Sequence, residues 1–405
     1  MYKLSLLLLF CFTVSAVAAD WPSFLGPNKN DITTAESNFN ADLSKWSKVW
    51  ENNIGVGYSA MTVSGNMAFN MSHDKKETET LHCFDASSGK SLWKFDYPGP
   101  LINKLHKGGP NSTPTVDGDF VFILGKAGQA FCLNKTDGSV VWKKDLHQLM
   151  EIKQPAFGFA SSPLIYKDWI LYTSGKAVAL NKNSGELVWL SQNSSTEEAA
   201  YHPGHATPVI FEQNGTDYIT FLLGTGLEVL KVEDGSFVAR HNLKAEYNMT
   251  ATTPLVLNEG RRIFLSWNRY SEMLDFDGQS LKSAWKKKDY IHTMQNNILI
   301  DGVIYGTHGK DRGKRTSFMA IDVQTGKTLW EEKGFRWSQI TVVGDTMVCM
   351  TVDGNLVTVK VSKEKFEQIS SAKWLEGVCW TKPTYANGRL YIRNDLGRVL
   401  CLKIK

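Results

Sequence analysis

The chain has 405 residues, with 45 Lys and Arg against 41 Asp and Glu, for a formal net charge of +4. The cations are scattered and their densest run, Lys286–Lys288, is brief; this excludes the basic stripe of a nucleic-acid binder and reads as a solvated loop. After residue 19 no uninterrupted apolar run reaches the ~18 residues of a spanning helix, so no transmembrane segment is expected.

Residues 1–19 pair a positive start (Lys3) with an apolar run from Leu4 to Val14, and small residues, Val17 and Ala19, precede Asp20. That is the pattern of a cleaved secretory signal, cut after Ala19. Its removal takes one cation, so +4 becomes +3. Cys11 follows Leu-Leu-Phe, without the small residues a lipid-anchoring site wants, so the mature protein is expected free in the periplasm or secreted. Residues 20–44 read as an N-terminal strap and residues 45–405 as one domain.

The segment Lys45–Asn52 reads as a strand carrying Trp50. A unit then repeats. A small polar cluster with Pro opens it (Ser112–Gly118), and two β-branched and aromatic strands follow (Phe120–Leu124 and Gln129–Leu133). A polar-Gly turn leads into a fourth strand ending on Trp, at Ala86–Trp93, Lys135–Trp142, Lys182–Trp189 and Val323–Trp330. Four short strands per unit at a fixed period is the grammar of a propeller blade. The Trp slot falls at Trp93, Trp142, Trp189, Trp285 and Trp330, with worn copies at Ala239 and Gln368. The C-terminus supplies three further strands (380–384, Arg389–Arg393 and Val399–Lys403), and the strand with Trp50 completes them. The expectation is an all-β, eight-bladed β-propeller whose last blade is closed by N- and C-terminal strands; seven blades is the alternative. Trp50, Trp93, Trp142, Trp189, Trp285 and Trp330 are read as structural docking residues that fill the wedge between blades.

Cys83, Cys132 and Cys401 occupy one slot of three units, and with Cys349 and Cys379 they leave an odd count after processing. Equivalent slots of packed sheets lie ~10 Å apart, beyond disulfide reach, so these are read as small buried hydrophobes. A Cys379–Cys401 bridge within the last unit stays open.

The fullest repeat, Ala320–Trp330 (Ala-Ile-Asp-Val-Gln-Thr-Gly-Lys-Thr-Leu-Trp), and the opening Trp21–Asn28 (Trp-Pro-Ser-Phe-Leu-Gly-Pro-Asn) resemble the PQQ-like β-propeller repeat family. The resemblance covers nearly all of residues 21–405. It implies one of three functions: a quinone-dependent dehydrogenase, a scaffold of outer-membrane protein assembly, or an exported protein of another role. Family dehydrogenases carry adjacent cysteines beneath the quinone and an acidic metal cluster at the axial mouth. This chain has no Cys-Cys pair.

The blade openings that would line the mouth are hydroxyls and amides: Tyr58–Ala60, Asn111–Thr113, Ala160–Ser162, His205–Thr207, Ala251–Thr253, Gln295–Asn297, Trp337–Gln339 and Trp380–Lys382. A hard cation wants several oxygen anions and a hydride-abstracting base a carboxylate; neither is offered there. The hydroxyls either satisfy inner-strand backbone groups or line a funnel for a neutral ligand such as a sugar. On the second reading His205, Asn296, Asn297, Gln339, Trp337, Trp380 and Lys382 are the ligand-binding candidates, with His202, Phe157 and Phe159 beside them. His202 and His205 lack a third ligand and read as loop histidines rather than a metal pair. Asp275–Gly278 reads as a strand turn lacking the distal Glu of a calcium loop. No catalytic residue and no metal site is expected, and no cofactor, PQQ being the alternative. The function expected is an exported, non-catalytic, monomeric binding or assembly scaffold whose partner is a protein or a saccharide; the alternatives are a PQQ-dependent oxidoreductase and a glycan-binding or glycan-processing module.

Overall fold

The structure, a computed structural model, describes residues 19–34, 39–104, 106–192, 204–309 and 315–405; the signal-like segment, Cys11 and His202 lie outside them. Eight sheets follow one another around the ring, and in blades 1 to 6 the four antiparallel strands run in sequence order from the axis outward. In blade 1 the strands are Thr62–Ser64, Met67–His73, Thr78–Asp85 and Ser91–Pro98. Blade 8 is built from Thr384–Ala386, Arg389–Arg393 and Arg398–Ile404, with Trp46–Asn53 added on the outside against the last of these. The chain is thus an eight-bladed β-propeller closed by its own two ends, which removes the open sheet edge a broken ring would leave. Lys286 and Lys287, read above as loop residues, lie instead in the outer strand of blade 5, where Lys286 pairs with Glu272 at 2.9 Å.

Each docking tryptophan reaches the following blade. The indole N–H of Trp142 donates to the carbonyl of Lys182 at 2.9 Å, and its ring lies against Gly185. Gly185 has φ +71, and a Cβ there would come within 2.7 Å of the indole, so the turn needs glycine both for its backbone and for its neighbour. Trp50, Trp93, Trp189, Trp285 and Trp330 donate to the next blade in the same way, at 2.8–3.2 Å. Cys132, Cys83 and Cys401 pair directly across from Trp142, Trp93 and Trp50, which confirms their shared slot. All five cysteines among the described residues are buried and free, so Cys379 and Cys401 are not bridged.

The worn copies are resolved by register. Ala239 sits in its blade's slot, opposite Val229, and Phe211, Tyr218 and Phe276 pack in its cluster. In blade 7 the residue after the strand bulge is Ser370, two positions beyond Gln368, so the slot assigned to Gln368 is corrected to Ser370. Its hydroxyl accepts the Leu43 amide at 3.1 Å. Leu43 and Trp46 are buried in the cluster shared by blades 7 and 8, supplying from the N-terminal segment the bulk this wedge lacks.

The strap does more than precede the ring. Trp21 pairs with Val63 in both directions at 2.9 Å, Pro22 accepts the Val116 amide at 2.8 Å, and Asp31 accepts the Val342 amide at 2.9 Å. Ile32–Thr33 forms a short parallel strand on the inner face of blade 7. The strap therefore lies across the central channel on the inner strands, where no blade strand remains to pair them. Beside it, facing blades 4 and 5, an open groove of about 470 Å³ remains.

Candidate functional site

Each blade's inner strand starts at the same end of the channel, so the eight openings converge there. Their third residues weld the ring. The Thr113 hydroxyl accepts the Ala60 amide, Ser162 accepts that of Thr113, and Thr207 accepts that of Ser162, at 3.0–3.1 Å. Further in, Thr62, Thr115, Thr341 and Thr384 donate to a carbonyl of the next blade around the ring. These hydroxyls satisfy backbone groups that sheet pairing leaves over at a crowded axis.

Inside this belt is a cup of about 130 Å³, lined by Phe24, Tyr58, His106, Asn111, His205, Thr207, Gln339 and Trp380 among others. Phe24 comes from the strap and the rest from the blade connections. Aromatic rings run along one side. Tyr58 and Trp380 lie 5.3 Å apart at 31°, His106 meets Tyr58 edge-on at 5.4 Å, and Phe157 bridges His106 and His205 at 6.1 and 5.8 Å. Some polar groups are already committed: Gln339 donates to the carbonyls of Met294 and Trp380 at 3.3 and 3.0 Å. Others are not. His106 Nδ1 accepts the Gly108 amide at 2.9 Å, which leaves the proton on an Nε2 with no partner. Asn111 Oδ1 and His205 Nδ1 also lack partners.

The cup is electrically quiet. Burial, reinforced by the nearby Lys126 charge, brings His106 and His205 down to about 4, so both imidazoles are neutral at pH 7. Lys126 is itself fully buried and pulled down by desolvation. Its amide donates to the Glu79 carboxylate, which also accepts the Tyr97 hydroxyl at 2.7 Å and is pushed up by burial. Below the cup Lys382 forms a buried ion pair with Asp31 of the strap, with its ammonium 3.5 Å from the Phe24 ring centre. Asn296 donates to the same Asp31 at 3.0 Å.

Of the residues singled out from sequence, His205, Gln339 and Trp380 line the cup together. Asn296 and Lys382 are spent on Asp31. Asn297 accepts the Tyr290 hydroxyl at 2.9 Å, and Trp337 is fully buried with its N–H on Gln295 at 2.6 Å. Phe157 stacks at the cup's edge and Phe159 is buried in the core between blades 2 and 3. Asp277 accepts the Gln279 and Ser280 amides and so caps its own strand turn. Sequence reasoning missed Phe24 and His106, and placed Asn111 at the mouth without counting it among the ligand-binding candidates. A signal existed for Asn111: the first residue of an opening faces the cup in blades 1 to 5 and 8, as Tyr58, Asn111, Ala160, His205, Ala251 and Trp380 show. Phe24 and His106 sit outside the repeat and carry no such mark. Among the described residues no group of three or more His, Cys, Asp or Glu is placed to hold a metal ion, and no helix is long and apolar enough to cross a membrane.

Residues 77–332 match the family model of the outer membrane protein assembly factor BamB. Among solved structures, BamB from Moraxella catarrhalis is similar at a TM-score of 0.61 and 16% identity, covering 89% of this chain and 98% of that one. The quinohemoprotein alcohol dehydrogenase from Comamonas testosteroni is similar at a TM-score of 0.72 and 13% identity, covering 95% of this chain and 80% of that one. At such identities the likeness is one of fold. Tetrathionate hydrolase of Acidithiobacillus ferrooxidans is 27% identical over 106 residues, and the match spans 23% of this chain and only 19% of that protein.

Proposed function

We propose that this chain, which belongs to the family of the outer membrane protein assembly factor BamB, is an exported, non-catalytic propeller that serves as a binding and assembly scaffold. One observation carries the reading: among the described residues no carboxylate lines the cup, and the acid beneath it, Asp31, is consumed by Lys382 and Asn296. A quinone–calcium centre needs several anionic oxygens on the cation and a carboxylate to take the substrate proton. This donor set does not fit one, although the fold is shared with quinone enzymes.

The rim supports a scaffold. Every blade ends in an outer strand with an unpaired edge, and Leu92, Val141, Val188, Phe237, Leu329 and Ile369 on those strands are 39–55% exposed. Edges of this kind accept a partner's extended strand, with backbone bonds giving affinity and apolar side chains giving preference. An unfolded outer-membrane β-barrel chain, rich in alternating strands, is the partner chemistry that suits them. The test has two arms. The purified protein is incubated with PQQ and Ca²⁺, and separately with a urea-unfolded outer-membrane β-barrel protein diluted into buffer. The expected result is slower aggregation of the barrel protein, weakened by Phe237→Lys with Val188→Lys, and no retained quinone. Stoichiometric quinone retention with alcohol-dependent dye reduction overturns the proposal.

A further inference from the structure

We propose that the axial cup takes the terminal ring of an uncharged saccharide, a binding function that does not depend on the scaffold reading. The cup leaves several polar groups unspent. Around it, hydroxyls and amides are committed to neighbouring blades, Thr207 to the Ser162 amide and Gln339 to two carbonyls. The side chains of Asn111 and His205 form no hydrogen bond within the described residues, and His106 keeps Nε2 free. An unspent polar group on a protein wall is costly unless water or a ligand meets it. Here three such residues ring one cavity.

Their chemistry selects the ligand. The Asn111 carboxamide and the neutral His205 imidazole each carry a donor and an acceptor side, and His106, its Nδ1 spent on Gly108, adds a donor; this mixture is what a hydroxyl, donor and acceptor at once, requires. A carboxylate or phosphate would need donors alone and a cation on the wall, and among the described residues none lines the cup: Lys382 is paired with Asp31, and Lys126, whose ammonium has no hydrogen-bond partner, is fully buried behind the lining. A ligand cation would find no acid on the wall among the described residues. Beside the polar groups lie the Tyr58 and Trp380 rings, 5.3 Å apart, whose apolar faces suit the C–H face of a pyranose.

Size sets how much of the ligand enters. A cavity of 130 Å³ corresponds to the share of about four liquid waters and lies below the ~300–1,000 Å³ of pockets that engulf a whole ligand. The cup therefore seats one ring end-on, with the remainder of a glycan pointing to solvent.

Saturation-transfer NMR on the intact chain tests this with the methyl glycosides of glucose, galactose, mannose and N-acetylglucosamine, against gluconate and glucosamine as charged controls. The expected result is transfer to the ring C–H protons of at least one neutral glycoside, with Kd on the order of 1 mM. Asn111→Ala, which breaks no hydrogen bond within the described residues, should weaken binding by about fivefold, as the loss of one neutral hydrogen bond does; Trp380→Phe should retain part of the transfer and Trp380→Ala should abolish it. The proposal is overturned if no neutral glycoside shows transfer, if the charged controls bind as well, or if Asn111→Ala leaves the affinity unchanged in a protein of unaltered melting temperature.

Discussion

Changing Asp31 to Asn tests whether the strap is clasped by a single buried charge pair. The Asp31 and Lys382 side chains are each 2% exposed, and the ammonium's other neighbour is the face of Phe24. The amide keeps the shape and can still meet Asn296, but it leaves the ammonium uncompensated. Removing one partner of a buried pair costs about 3–5 kcal/mol, whereas replacing both with apolar groups is close to neutral. The lysine has one escape, giving up its proton, to which burial already inclines it. Its folded pKa then falls well below the unfolded value, so the unfolded state binds more protons in the window between them and stability rises with pH there. Asp31→Asn should accordingly lose roughly 3–5 kcal/mol at pH 7 by urea unfolding, and should recover part of that towards pH 10. Asp31→Leu combined with Lys382→Met should lose less than either single change. Amide exchange should quicken first at Val116 and Val342, which donate to Pro22 and Asp31 of the strap. A loss below about 1 kcal/mol, the value of an exposed pair, or single losses that simply add in the double variant, would refute the clasp.

Two further outcomes follow from the blades. Gly185→Ala and Gly278→Ala both place a side chain at positive φ, +71 and +92, but only the first meets an indole, at 2.7 Å, while the second finds its nearest atom at 3.4 Å. Both should lose about 1 kcal/mol to backbone strain, and Gly185→Ala a further ~1–3 kcal/mol to overpacking; equal melting temperatures would contradict the docking role of Trp142. His82, 5% exposed and bonded to the Ser72 hydroxyl, is brought by burial to about 3. With the folded pKa below the unfolded one, its contribution is complete above pH ~6.5 and is lost towards pH 3 at about 1.4 kcal/mol per unit. His82→Gln should flatten the acid limb of the stability curve by about one proton, read from urea midpoints between pH 6 and 4.

Most of the ring was legible because its rule is local. Gly then Trp at fixed spacing encodes a turn, a strand and a contact with the next blade, and no distant residue has to be known. The closure of blade 8 was legible for the same reason: three strands at one end imply a fourth elsewhere. Ser370 was misplaced because a strand bulge lets the residue count slip once the Trp that marks it is gone. The strap was illegible beyond its existence. Asp31 looks like any loop acid until the fold brings Lys382, 351 positions away, to its side.

That distance explains why the sequence does not show which groups of the mouth are already spent. Asn296 and Lys382 are among the richest polar residues of the openings, and the strap spends both on Asp31. What remains for a ligand is what no internal partner claimed: a carboxamide, two neutral imidazoles and a wall of rings. Sequence lists which groups a mouth contains, but binding capacity is the remainder after internal bonds are formed. The strap sets that remainder. It crosses the channel below, pairs Lys382 of the eighth opening with Asp31, and sets Phe24 into the cup. A strap variant with a different residue at position 31 would thus change ligand charge preference at the mouth without altering any cup residue.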